Sequence, residues 1–202
     1  MLVVGLTGGI GSGKTQASNW FAKQNIHIID VDVLARQVVE KNSPALQQIV
    51  QAFGEWVIQA DGLLNRKALR EYIFTHPDAL ITLQNITHPA IRALAKQQID
   101  QATTAYCILV APLLLEGGKT GLKQLCQQIL VIDTDEHNQI LRASLRDKQT
   151  TEQIQAIMNN QLSRKQRLQQ ADHVVTNNGT LEQLYAKLIP LHQYYLTLAK
   201  QF

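Results

Sequence analysis

The stretch VVGLTGGIGSGKT, Val3–Thr15, decides the fold. An apolar run ends at Thr7 and is followed at once by Gly8, four residues, Gly13, Lys14 and Thr15, the spacing GxxxxGK[ST] of a phosphate-binding loop. Glycines let such a turn curl until successive backbone N–H groups point at one phosphate. A helix expected to begin near Lys14 adds its positive N-terminal end to the same place. In this reading the Lys14 ammonium reaches the β- and γ-phosphates of a nucleotide and the Thr15 hydroxyl sits on Mg²⁺. The amides of Thr15 and Gln16 cover the inner phosphates. A solvated glycine turn is the bland alternative, but the apolar strand before it and the amphipathic Ala17, Trp20 and Phe21 after it favour nucleotide binding.

Outward from the loop, further short apolar runs read as strands at His27–Ile29, Cys107–Ala111, Ile129–Ile132 and His173–Thr176, the first strand being Leu2–Leu6. Several are continuously apolar and are separated by long helical patterns, which predicts a parallel five-stranded sheet covered by helices on both faces. In such doubly wound α/β folds ligands lie beyond the carboxyl ends of the strands. The glycine loop, Asp30 and Asp32, Pro112 to Glu116, and Asn177 to Gly179 are expected to gather there.

The interval from about Asp32 to Ala105 is too long for one crossover and predicts a helical insertion, either a holder for a second substrate or a structural addition. Within it Ser43-Pro44 reads as a helix start and Asp61-Gly62 as a turn. His88-Pro89 places proline at the first position of a helix over Ala90 to Ile99. Between Asp133 and Asp172 the pattern is helical and locally basic, with capping boxes at Thr150/Gln153 and Ser163/Gln166. Arg142 and Arg146 share one helix face, as Arg164 and Arg167 do. On a flap closing over nucleotide, Arg142 and Arg146 would neutralise charge on a phosphoryl group in transfer; otherwise they form a solvated face. Leu181 to Phe202 reads as a core-covering helix interrupted or kinked at Pro190.

Asp32 is the expected base: just past the second strand, its carboxylate would orient an attacking hydroxyl and accept its proton. Strand alternation sends Asp30 to the same side, as a partner for Mg²⁺ water or as a helix cap. No aspartate directly follows the Cys107–Ala111 run, so Mg²⁺ is expected on Thr15, phosphate oxygens and water, with Glu116 closing the shell or binding substrate.

The bulk numbers agree with one principal domain: 202 residues, 45% hydrophobic. Nineteen basic against 16 acidic residues without a long basic run argue against a nucleic-acid partner. Cys107 and Cys126, far apart in sequence, read as reduced thiols rather than a disulfide or metal site. No run has the length of a membrane span and no targeting signal is read, so a cytoplasmic protein is expected.

Six segments together resemble the dephospho-CoA kinase family across essentially the whole chain: LTGGIGSGKT (Leu6–Thr15), IDVDVLARQVV (Ile29–Val39), DGLLNRKALR (Asp61–Arg70), His88-Pro89, PLLLE (Pro112–Glu116) and ADHVVTNNG (Ala171–Gly179). The resemblance implies a P-loop kinase core over about 1–32, 105–134 and 171–202, a substrate-binding helical insertion over about 33–104 and a lid over about 135–170. It implies transfer of the γ-phosphate of ATP to the ribose 3′-hydroxyl of dephospho-CoA, giving coenzyme A and ADP. By position, Gly8, Gly9, Ile10, Gly11, Ser12, Gly13, Lys14, Thr15 and Gln16 would bind ATP, with Asn177 near its adenine. Asp32 would be the catalytic carboxylate, Arg142 and Arg146 the lid arginines, and Arg66, His88 and Glu116 acceptor-side residues. The chain departs from the family pattern at Thr15-Gln16, which keeps the hydroxyl, and at Gly117 to Gly121 after Glu116. Kinases of a nucleoside, gluconate or shikimate share the core without the Asp61–Arg70 and His88-Pro89 segments, and a hydrolytic switch protein usually carries the aspartate missing after the third strand.

Overall fold

A computed structural model describes residues 1–118 and 121–202; Lys119 and Thr120, within the departure after Glu116, lie outside the described residues. The chain divides into two compact units, one of Met1–Asp30 with Ile99–Phe202 and one of Val31–Gln98.

In the first unit, β1 (Leu2–Thr7), β2 (His27–Asp30), β3 (Tyr106–Val110), β4 (Gln128–Asp133) and β5 (His173–Thr176) form one parallel sheet in the order β2-β3-β1-β4-β5. The glycine-loop strand is thus central, with Val4 beside Ile108 and Leu6 beside Leu130. Alternation sends Leu2, Val4, Leu6, Tyr106, Ile108, Val110, Leu130 and Ile132 to one face. There they bury against Ala17 and Phe21 of α1 (Lys14–Lys23) and Leu184, Leu188 and Tyr195 of α9 (Leu181–Leu198). Val3, Cys107, Leu109, Ile129 and Val131 are buried on the other face, so the strands read as continuous apolar runs. Helix α9 continues through Pro190 without interruption. Its start is a capping box, Thr180 with Gln183, whose signature stands in the sequence and was not among the helix starts read from it.

Both expected capping boxes in the 133–172 interval are formed. They open α7 (Thr151–Asn159) and α8 (Arg164–Gln169), and α6 (Glu136–Asp147) precedes them, ending at Lys148 in left-handed geometry.

The second unit holds α2 (Val31–Gln37), α3 (Pro44–Phe53), α4 (Arg66–Thr75) and most of α5 (Pro77–Gln101). Helix α3 starts at the expected place, the Ser43 hydroxyl accepting from the Leu46 amide at 3.2 Å. The helix expected to start at Pro89 does not: Pro89 lies inside the 25-residue α5. The apolar stripe Leu83, Ile86, Ala90, Ile91 and Leu94 runs through the proline in helical register and packs on Val38, Leu46, Ile49, Val57 and Leu69. Apolar packing on both sides outweighs the rung that proline removes.

Candidate functional site

At the carboxyl edge of β1 the chain turns through Gly8–Gly13 and enters α1 with Gly13 as its cap. Gly11 and Gly13 have φ of 68° and 99°, closed to most side chains. A Cβ on Gly11 would stand 2.5 Å from the Gln139 carbonyl, and one on Gly13 would meet the Asn177 amide. The first rung of α1 runs from Ala17 N–H to the Gly13 carbonyl, so the amides of Thr15 and Gln16 stand ahead of the ladder. No acidic residue occupies that first turn, and Thr15 is exposed. A helix end of this kind, opened by a glycine loop, presents its dipole and donors to an anion. Lys14 Nζ donates to the carbonyls of Gly8 and Gly9 at 2.8 and 2.9 Å, which holds the ammonium over the loop. The Ser12 hydroxyl is buried and has no hydrogen-bond partner among the described residues.

Segments following β4 and β5 hold the loop in place. Asn177, immediately past β5, is buried; its Nδ2 donates to the Ser12 carbonyl at 2.8 Å and its own N–H to the Asp133 carbonyl at 2.7 Å. Its amide is therefore spent on the loop itself, a contact that the family resemblance did not suggest. From α6, Arg142 Nη1 donates to the Asn177 carbonyl at 2.8 Å. Arg146, although one turn along on the same helix, closes a fork on its neighbour Asp147 at 2.7 Å and is largely exposed. That bond raises the Arg146 pKa and lowers that of Asp147. The structure brings Arg142 to the loop's clamp and leaves Arg146 with Asp147.

Glu116 apart, the other residues that gather at this edge were not singled out for function from the sequence. Asp133, buried at the end of β4, receives a bidentate fork from Arg164 at 2.8 and 2.6 Å, which raises the Arg164 pKa. Gln161 Oε1 accepts from the Ile10 amide of the loop at 3.2 Å. Glu116 accepts from the amides of Leu115 at 3.1 Å and Leu162 at 3.0 Å. Arg167 is buried, and desolvation lowers its pKa, with Glu116 and Asp133 opposing that shift. For Arg164 and Arg167 the only sequence signal was the basic character of the segment after Ser163, and Asp133 and Gln161 had none.

The remaining candidates lie in the second unit. The expectation that Asp30 and Asp32 alternate along an extended chain is corrected: α2 begins at Val31, and Asp32 is in its first turn. β2 runs one residue past the read strand, to Asp30, and the carboxylate of Asp32 is favoured in the first turn of α2 by the helix dipole. Asp32 is exposed, as are Arg66, at the start of α4, and His88, within α5. Arg66 Nη2 lies 3.4 Å from the Arg36 carbonyl. Among the described residues no group of three His, Cys, Asp or Glu could hold a metal ion, and no helix is long and apolar enough to cross a membrane. Both cysteines are free, and burial pushes the Cys107 thiol up to about 11 and Cys126 to about 12.

The dephospho-CoA kinase family model matches residues 2–183. A dephospho-CoA kinase of Psychrobacter cryohalolentis is 56% identical over 200 residues, covering 99% of this chain and 87% of that protein. One from Acinetobacter baylyi is 52% identical over 196 residues, covering 97% and 99%. Among solved structures, the dephospho-CoA kinase from Campylobacter jejuni superposes with a TM-score of 0.67 at 26% identity, covering 93% of this chain and 95% of that one.

Proposed function

Because the chain belongs to the dephospho-CoA kinase family, we propose the following division of labour for its residues. The reaction is ATP-dependent phosphorylation of dephospho-CoA at the ribose 3′-hydroxyl, giving coenzyme A and ADP, the last step of coenzyme A synthesis. The amides of Gly8 to Gln16 and the Lys14 ammonium take the phosphates of ATP. The observation that carries this is the glycine loop opening α1 with an uncompensated helix end and Lys14 bonded across it.

Mg²⁺ would suit this site: the Thr15 hydroxyl, on an exposed residue, would supply one oxygen ligand, with phosphate oxygens and water to supply the others. Bound there, the ion neutralises phosphate charge. Asp32 orients the 3′-hydroxyl and accepts its proton as the new O–P bond forms and the bond from the γ-phosphorus to ADP breaks. Phosphoryl transfer has a loose transition state, so positioning is the larger part of that task. Arg66 and His88 serve the acceptor. Asn177 keeps the loop shaped for nucleotide, Arg142 acts through Asn177, and Arg146 remains available to phosphate charge when its fork with Asp147 opens. The partners in this reading are the two small molecules, met in the cytoplasm.

A coupled ADP-release assay tests the assignment, run with Mg²⁺-ATP and dephospho-CoA, with other hydroxyl acceptors, and with none. Release only with dephospho-CoA, lost on removing Mg²⁺, is expected. Lys14→Ala should nearly abolish transfer, and Asp32→Asn should lower kcat by about 10² or more with little change in ATP affinity. Full turnover by Asp32→Asn would remove that carboxylate from the chemistry.

A further inference from the structure

Gly9 is the place where the loop is approached most closely from outside. A Cβ there would meet the Gln139 side-chain oxygen and stand 3.1 Å from Arg167 Nη2. Arg167 is 5% exposed, and Nη1 donates to the Leu162 carbonyl at 3.2 Å. The amide of that same Leu162 donates to Glu116 Oε1 at 3.0 Å. One residue earlier, Gln161 accepts from the Ile10 amide. The connection between α7 and α8 is thus fastened to the glycine loop at Ile10 and to the segment after β3 at Glu116, and the Arg167 guanidinium of α8 comes up beside Gly9. Gln139, Gln161 and Arg167 also line one cavity of about 460 Å³.

A buried guanidinium is costly unless something requires it there. Its charge lies beside the loop that takes an anion, and Glu116 both faces it electrostatically and holds Leu162, to which it bonds. Resting on the reading of Gly8 to Gln16 as the ATP site, we propose that Arg167 and Glu116 are positioning residues of the nucleotide site, setting the geometry of Gly9 and Ile10. Glu116 then serves ATP rather than the acceptor, whose side the family resemblance implied for it. A side chain at position 9 would displace the Gln139 side-chain oxygen and shift the Arg167 guanidinium by a few tenths of an ångström.

The test is a set of four single variants, Arg167→Met, Arg167→Lys, Glu116→Gln and Gln161→Ala, with the Arg167→Met/Glu116→Gln double variant. Each is read by KM for ATP, KM for dephospho-CoA, kcat, ADP affinity by calorimetry, and melting without nucleotide. Arg167→Met and Glu116→Gln should each weaken ATP and ADP about tenfold, equivalent to about 1.4 kcal/mol, with the dephospho-CoA KM within twofold of the parent. Arg167→Lys should recover part of the loss, Gln161→Ala should move the same parameter by less, and the Arg167→Met/Glu116→Gln double variant should lose less than the sum. ADP affinity within twofold of the parent in folded Arg167→Met and Glu116→Gln would overturn the proposal. So would a Glu116→Gln defect confined to the dephospho-CoA KM. If Arg167→Met does not fold, the other three variants decide by the same criteria. Calorimetric ADP binding does not depend on the acceptor, so a parent enzyme that binds ADP but ignores dephospho-CoA would refute the assigned reaction and leave this inference standing.

Discussion

Asn177 Nδ2 donates to the Ser12 carbonyl at 2.8 Å across 165 residues, so the segment after the last strand holds the loop after the first. Asn177→Ala would leave the Ser12 carbonyl without this donor and the loop free to relax. Loss of a partner at a buried polar group costs about 1–3 kcal/mol. The expected result is ADP affinity reduced by about tenfold or more, kcat falling less, and a modest drop in melting temperature. Calorimetry with ADP on the folded variant checks it; parent-like affinity would restrict Asn177 to a purely structural role.

What could be read in the sequence followed from local rules. Five apolar runs, several of them continuous and separated by long helical patterns, imply parallel strands, and GxxxxGKT imposes its own backbone, so sheet and loop were legible. Asp32 was placed by carrying strand alternation past the end of β2 into what is the first turn of α2; periodicity does not locate a strand-to-helix junction within Asp-Val-Asp. Pro89 misled because its local meaning as a helix start was overridden by a stripe burying both flanks. The struts Gln161, Arg167 and Asn177 reach loop residues more than 150 positions away, and neither their glutamine, arginine nor asparagine chemistry specifies such a partner.

Stability should fall as the solution is acidified below neutrality. His192 Nδ1 lies 2.7 Å from the Tyr106 hydroxyl and its ring packs against Trp20 and Phe21. His173 pairs with Gln128 and stacks edgewise on Tyr194 and Tyr195. Burial lowers the pKa of both, with Asp172 partly opposing the shift at His173. A folded pKa below the unfolded 6.5 means that the unfolded chain binds more protons in that window, so the contribution is full above 6.5 and is lost as pH falls through the depressed folded values. Urea midpoints measured from pH 7.5 to pH 5 should decline, and His192→Gln should flatten the slope. Equal slopes in parent and variant would exclude His192 as a source.

Helix α5 carries its proline at a measurable cost. Pro89 has no N–H for the Asn85 carbonyl and its ring crowds that turn, a defect of about 3 kcal/mol in a helix interior. Leu83 and Ile86 before it and Ala90, Ile91 and Leu94 after it hold the helix together by burial in the second unit's core. Pro89→Ala should therefore raise unfolding stability by about 1–3 kcal/mol, less whatever the fixed φ of proline removes from unfolded-chain entropy. The adjoining His88 is assigned to the acceptor, so restoring the missing rung beside it should shift the dephospho-CoA KM upward while the ATP KM stays fixed. Chemical denaturation followed by circular dichroism, with both KM values on the same preparation, separates the outcomes. Higher stability with an unchanged acceptor KM would make Pro89 a tolerated defect, and higher stability with a raised acceptor KM would show that the missing rung beside His88 serves substrate.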